Sequence, residues 1–284
     1  MKIHERFDES SALVWYPKVK DLDIPQPKTV MIELTEAEKK MIYKGNVPKT
    51  LLNKVQKTID DNFKLPVFLK TDVISAKHGW KKTCYYDGTE PLASHIFEII
   101  CMSLMVDIIG VPINAIMVRE FIPMDSEFKA FYGEMPVSPE RRYFINSCMI
   151  AECDAENPEA TTEFRFEGKV LCRHSYWIQD AVEKGTPKGM LPDNWKQLSR
   201  KMNRQSKSEI TLLTKYSEMI AEVIEGYWSV DFCKGKDGKW YLIDMAQGRM
   251  SWHPKDCPIY NKMLEGYDDL KKMLNVGDEN DKET

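Results

Sequence analysis

The 284-residue chain lacks a dominant charge: 40 Lys and Arg stand against 44 Asp and Glu, a formal net charge of −4. That balance argues against nucleic acid and membrane as global partners and leaves only a local basic site open. Paired cysteines are also missing. The seven Cys are scattered singly, with no Cys-x-x-Cys and an odd total, which predicts free thiols in a reducing compartment and no cysteine metal site. His78, His174 and His253 show no ligand spacing, and His95 has no second His four residues on, so no zinc site is expected. No apolar run is long and unbroken. The most apolar region, 96–118, holds Glu98, Asp107 and a Gly110-Val111-Pro112 break, and reads as a buried helix followed by a strand. Residues 1–10 have no apolar core of a secretory leader, and none is expected. Internal repeats, low-complexity segments and the Walker phosphate loop are absent.

The composition that remains, 43% hydrophobic and 30% charged, suits a soluble globular chain of one large domain or two fused lobes. Its most informative stretch lies near the end. Gly226 to Phe232 and Lys239 to Gln247 read as two strands of a hairpin, joined by a polar turn containing Asp237-Gly238. Asp-Gly favours such turns because both residues tolerate positive φ. Asp231 and Asp244 interrupt apolar strands there. Buried carboxylates need a cation, and two on paired strands could share a hard one such as magnesium. Solvated acids at strand ends are the alternative.

Periodicity and turn signals give the rest of the expected layout. Val14 to Tyr16 reads as a short strand, and Val30 to Leu34 as another. Thr35-Glu36-Ala37-Glu38 resembles a capping box opening a helix to about Tyr43. A helix is expected at Pro48 to Asp61, a strand at Leu65 to Lys70, and a small-residue loop at Ser75 to Trp80. A polar strand at Lys82 to Tyr86 precedes a helix at Pro91 to Val106. Strands follow at Ala115 to Ile122, Glu127 to Tyr132, Phe144 to Ala151, Glu163 to Phe166 and Val170 to Trp177. An acidic loop is expected at Glu152 to Glu159. Helices at Asp193 to Met202 and Ser208 to Ile224 lead into the hairpin, and the polar tail from Asp278 is expected to fray.

Several residues carry chemistry in this layout. Lys70 closes an apolar strand beside the Ser75–Lys77 loop, where an ammonium can lie against phosphate; a surface lysine is the alternative. Val118 to Pro123 is an apolar strand broken by Arg119 and Glu120. Such a strand can offer its backbone to a base while Arg119 meets phosphate, or it can be two-faced with a solvated charged side. Glu127 and Lys129 share a strand face. Arg141, Arg142 and Arg173 could clamp phosphate or a carboxylate, or be surface residues.

The order of these pieces resembles the ATP-grasp superfamily. It runs through Pro25 to Thr29, Lys70, Ser75 to Trp80, the helix from Pro91, the hinge strand Val118 to Ile122, Glu127 to Lys129, and Asp231 with Asp244. The likeness covers roughly residues 14–254. It is nearest to phage-associated ATP-grasp ligases and to the eukaryotic cell-division-cycle protein that assembles a translation-initiation factor. It implies an α+β fold of two lobes whose antiparallel sheets enclose ATP. The implied organisation is an N-terminal region 1–64, a small lobe and hinge 65–122, and a C-terminal lobe 123–284. The implied activity is an ATP- and Mg²⁺-dependent carboxylate–amine ligase working through an acyl phosphate. Arg119, Lys129 and Arg173 would be catalytic. Lys70, Ser75, Lys77, Glu120, Phe121 and Ile122 would bind the nucleotide. Asp231, Asp244 and Gln247 would bind the metal. The partners would be ATP, a carboxylate and an amine acceptor, in the cytoplasm or, for a phage-encoded chain, the host cytoplasm.

Two departures bear on activity. The family's Asn two positions after the second acid is Ala246 here, so Gln247 is the nearest amide. Lys129 stands where Arg is common, without its two-pronged grip on phosphate. An ATP-binding assembly factor with little ligase activity is therefore a standing alternative. A covalent nucleotidyltransferase using Lys70 is another. Lys70-Thr71-Asp72 fits its signature in part, but Val73 replaces the required Gly.

Overall fold

In a computed structural model of the chain, the residues described are 10–107, 112–152, 163–254, 257 and 259. The helices in chain order are α1 (Ala12–Val19), α2 (Glu36–Ile42), α3 (Lys49–Asn62), α4 (Leu92–Asp107), α5 (Gln179–Gly185), α6 (Trp195–Met202) and α7 (Lys207–Ala221). The strands are β1 (Thr29–Glu33), β2 (Val67–Thr71), β3 (Tyr85–Tyr86), β4 (Ala115–Glu120), β5 (Phe128–Ala130), β6 (Met135–Val137), β7 (Glu140–Glu152), β8 (Glu163–Ser175), β9 (Gly226–Lys234) and β10 (Trp240–Gln247). They form two four-stranded sheets and one small ribbon. The first sheet has the order β1-β4-β2-β3, the second β10-β9-β7-β8, and β5 pairs with β6. The pairings recorded between these strands are antiparallel, so the fold is α+β. No helix among the described residues is long and apolar enough to cross a membrane.

Two cores follow from the apolar periods. In α3, Leu51, Val55 and Ile59 recur every fourth residue and are buried with Ile96, Ile99 and Ile100 of α4 against Ile116 and Val118 of β4. In α7, Leu213, Ile220 and Ala221 face the second sheet's Tyr143, Ile145, Val230 and Phe232. β4 serves both: Ile116 and Val118 join the first core, and Met117 joins the second.

Some elements differ from the sequence reading. Residues Val14 to Tyr16 lie in helix α1, not a strand. Ser11 caps that helix by accepting from the Leu13 N–H, and Ala12, Trp15 and Val19 are its buried face. The strands expected at Glu163 to Phe166 and Val170 to Trp177 are one strand, β8. Gly168 in its middle marks a close approach: a Cβ there would stand 2.4 Å from the Ala221 Cβ. β7 begins at Glu140, before the expected Phe144. The strand expected from Lys82 narrows to Tyr85–Tyr86, because Lys77–Lys82 forms a 3₁₀ turn. The strand from Glu127 narrows to Phe128–Ala130, since Phe131 takes φ 61°. α5 and β6 had no sequence counterpart. The acidic loop 153–159 and the tail from Asp278 lie outside the described residues.

The expected capping box is present. Thr35 Oγ1 accepts from the Glu38 N–H at 3.2 Å, and Glu38 Oε2 accepts from the Thr35 N–H at 2.9 Å. Thr50 and Lys54 of α3 also donate to Glu38, at 2.9 and 3.0 Å, so one carboxylate ties two helices together. Burial pushes the Glu38 pKa up, but the Thr35 N–H, Lys54 and the two hydroxyls outweigh it and hold it at about 2. A depressed acid stabilises the fold fully above its unfolded pKa and loses that contribution as pH falls through the folded value. Glu38→Gln is expected to cost about 2 kcal/mol near neutral pH. In urea unfolding, the gap between wild type and variant should shrink as pH falls from 4.5 toward 2; a gap independent of pH would contradict this assignment.

Candidate functional site

Strand alternation builds the site. On the second sheet, Tyr143, Ile145, Val230, Phe232, Leu242 and Met245 enter the core. The residues between them occupy the other face: Glu140 and Arg142 on β7, Asp231 and Cys233 on β9, Asp244 and Ala246 on β10. Arg142 is in register with Asp231, and Asp231 with Asp244, which sets these charges in one row across three strands. A bulge between Leu242 and Asp244 inserts Ile243 and re-aims the strand. The expected hairpin and its paired acids are thus present in register.

Across from this row the first sheet presents its own cations. Lys70 of β2 is 1% exposed, and its Nζ donates to both Asp244 oxygens at 2.8 Å. Arg119 of β4 is 4% exposed; its Nη1 donates to the Ile243 carbonyl, and among the described residues its Nε has no hydrogen-bond partner. Lys77 Nζ donates to Glu140 Oε1 at 2.8 Å, while Trp177 Nε1 donates to Glu140 Oε2 at 3.0 Å. Behind them Arg142 holds Asp231 through two bonds, 2.8 and 2.7 Å. Lys70, Lys77 and Arg142 each face a carboxylate; Arg119 meets a carbonyl.

The electrostatics follow from burial and pairing. Burial pulls the Lys70 ammonium down, with Asp244 opposing. Burial pushes Asp244 up, but Lys70 and Arg119 together hold it below the usual carboxylate range. Burial pulls Arg119 down and nearby Asp244 resists. At Lys77 burial is outweighed by Glu140, and the pKa is raised. A buried guanidinium with an open Nε is a place where an added anion gains more than it would in water.

The charged residues form one end of a cleft between the sheets. Lys70, Ser75, Lys77, Arg119, Glu140 and Asp244 line that end. The other end is apolar, with Phe68, Trp80, Phe121, Ile122, Met124 and Met135. Phe121 lies edge-on to Tyr85 at 5.2 Å, and Trp80 stacks on Tyr85 at 5.8 Å. Ala76 in the left-handed region, φ 49°, turns the chain into the 3₁₀ segment that carries Lys77. The ribbon clamps that segment: Gly133 N–H donates to the His78 carbonyl at 2.9 Å, and a Cβ on Gly133 would meet backbone at 2.3 Å.

The cleft therefore brings together Lys70, Ser75, Lys77, Arg119, Glu120, Phe121, Ile122 and Asp244. Other residues singled out from the sequence lie elsewhere. Lys129 is exposed and pairs with Glu134 at 3.4 Å. Arg173 is exposed and donates to Gln205 at 3.4 Å. Arg141 is buried on the core side of the sheet, paired with Glu209 at 2.8 Å. Gln247 stands one strand position from Ala246, on the side of Met245 and away from both acids, because side chains alternate. Asp231 sits beside the cleft, its two oxygens engaged by Arg142. Glu140 and Trp177 escaped the sequence reading. Ser138, Glu140 and Arg142 at period two are the signal that marks this edge as a polar face.

No protein-family model and no curated protein matches the chain. Among solved structures it is similar to Cdc123 from Schizosaccharomyces pombe, with 13% identity, a TM-score of 0.47, and coverage of 94% of this chain and 93% of that one. It is also similar to a RimK domain ATP-grasp protein from Sphaerobacter thermophilus, with 12% identity, a TM-score of 0.37, and coverage of 93% of this chain and 64% of that one. A third is N5-carboxyaminoimidazole synthetase from Staphylococcus aureus complexed with ADP, with 8% identity, a TM-score of 0.40, and coverage of 90% of this chain and 48% of that one.

Removing one partner of a buried ion pair strands the other. Arg142→Met leaves Asp231 buried and unpaired, and is expected to destabilise the fold by about 3–5 kcal/mol. The double variant Arg142→Met/Asp231→Leu should recover most of that loss in denaturant unfolding; losses that simply add would show that the pair is not coupled.

Proposed function

We propose that the cleft binds ATP with magnesium, and that the chain is an ATP-dependent carboxylate–amine ligase of the ATP-grasp type. The observation that carries the reading is Arg119, a buried guanidinium whose Nε has no partner among the described residues, beside Lys70 and Asp244 at the charged end of a cleft whose other end is largely apolar. The order of sequence motifs supports the same reading.

The residues present suit the two absent groups. Lys70, Lys77 and Arg119 would neutralise phosphate charge, and the aromatic end at Phe68, Trp80 and Phe121 would take the base along the Glu120–Ile122 hinge. Asp244 is the more open of the paired acids, with 27% of its side chain exposed against 6% for Asp231. Asp244 would therefore hold the metal, with Glu140 the other carboxylate lining that end. Magnesium takes oxygen ligands, keeps several waters, and when bound supplies further neutralisation of phosphate charge. With a metal on Asp244, the Lys70 ammonium that now donates to both its oxygens would be available to the phosphates. The apolar walls exclude water from that end, which strengthens each of these interactions.

A second reading is an ATP-binding assembly factor with little turnover. Ala246 favours it, because it stands on the face of both acids and offers no ligand, while Gln247 stands on the opposite face.

Calorimetric titration with Mg-ATP is expected to show binding to the wild-type chain. Arg119→Met should weaken it at least about tenfold, roughly 1.4 kcal/mol, in protein whose unfolding transition is intact. Asp244→Asn should lower ADP release in a carboxylate and amine screen by about 10²–10³-fold. Absence of binding would overturn both readings. Binding without ADP release across the screen would select the assembly factor.

A further inference from the structure

We propose that Cys172, His174, His253 and Cys257 form a closed, four-coordinate zinc site that pins the segment after β10 to the second sheet. One ligand atom from each of the four lies within 4.8 Å of all the others. The two sulfurs are 3.6 Å apart, and His253 Nδ1 is 3.3 Å from Cys257 Sγ. A tetrahedral zinc ion with Zn–S of about 2.3 Å and Zn–N of about 2.0–2.1 Å sets sulfurs about 3.8 Å apart and sulfur about 3.5 Å from nitrogen. The Cys172–Cys257 and His253–Cys257 separations match these values to about 0.2 Å, and the remaining pairs lie within 4.8 Å.

Local structure produces the cluster. Cys172 and His174 are two apart on β8, so they share a face and Arg173 takes the other. That face is also the one carrying Arg142 and Phe144, their register partners. On the second ligand segment, a turn with the Cys257 N–H donating to the Pro254 carbonyl at 2.9 Å draws Cys257 back toward His253. The His253 ring stacks on Phe144 at 3.8 Å between centroids. Its Nε2 meets the Tyr227 hydroxyl at 3.1 Å, which leaves Nδ1 toward the sulfurs. A metal-bound imidazole characteristically has its second nitrogen fixed in this way.

The donor set selects the ion. Two thiolates balance the charge of Zn²⁺, giving a neutral centre suited to a site where His253 and Cys257 are buried. Sulfur and imidazole favour zinc over magnesium or calcium, and four protein ligands mark a structural site. The centre lies beside the cleft's charged row: Arg142 Nη1 donates to the Trp252 carbonyl at 3.4 Å. Zinc would thus fix the residue that buttresses Arg142, whatever the cleft binds.

Protein purified under reducing conditions without chelator is expected to carry about one zinc per chain by elemental mass spectrometry. Cys172→Ser and Cys257→Ser should each lower bound zinc at least tenfold, and Cys148→Ser, at an exposed cysteine outside the cluster, should not. Cobalt(II) exchanged into wild-type protein should give the intense visible bands of a tetrahedral thiolate site, a readout that needs no variant to fold. Zinc retained by both serine variants, a Cys172–Cys257 disulfide in place of metal, or an octahedral cobalt spectrum would each overturn the proposal.

Discussion

The contact on which the site depends is the meeting of the Lys70 ammonium with the Asp244 carboxylate across the gap between the two sheets. Lys70 leaves a strand of the first sheet and Asp244 leaves a strand of the second, so the pair sets how the two sheets face each other. Neither charge would be tolerated in that interior alone. Arg119 and Lys77 repeat the crossing, to the Ile243 carbonyl and to Glu140. The charged end of the gap between the sheets is therefore held by polar groups, while its other end is apolar and Met117 of β4 joins the second sheet's core.

That division follows from strand alternation. One face of the second sheet packs under α7 and α1, and the face that remains must carry polar residues or find another partner. Here it does both. At the β10 edge Asp244 meets Lys70 of the first sheet. At the β8 edge Cys172 and His174 meet His253 and Cys257. Between them Arg142 connects the two regions, bound to Asp231 on one side and to the Trp252 carbonyl on the other.

Much of this was legible in the sequence where the signal is local. The hairpin turn, the placement of Asp231 and Asp244 on its paired strands, the Thr35–Glu38 capping box and helices α3 and α7 all follow from short-range spacing, whereas the register that sets the two acids opposite each other depends on the bulge at Ile243. Strand β4 with Arg119, and Lys70 at the end of β2, were legible because charges break or close apolar runs. What was hidden is long-range. The cations that Asp231 and Asp244 seemed to need are Arg142 and Lys70, which pairwise spacing does not connect to them. The Cys and His ligands come in two pairs, one at strand spacing and one in a turn, and only the fold makes them a cluster. Arg173 drew attention as a cation, while its neighbours Cys172 and His174 point to the functional face. The role of Gly168, the close approach of α7, is invisible along the chain.

We propose the cleft as a nucleotide site assembled by both sheets. Its most direct test is a crystal structure with magnesium and a non-hydrolysable ATP analogue. The phosphates should lie against Lys70, Lys77 and Arg119, with the Arg119 Nε engaged, the base against Phe121 and Trp80, and the metal on Asp244. A nucleotide bound outside the cleft, or Lys70 still closed on Asp244 with no phosphate beside Arg119, would contradict it.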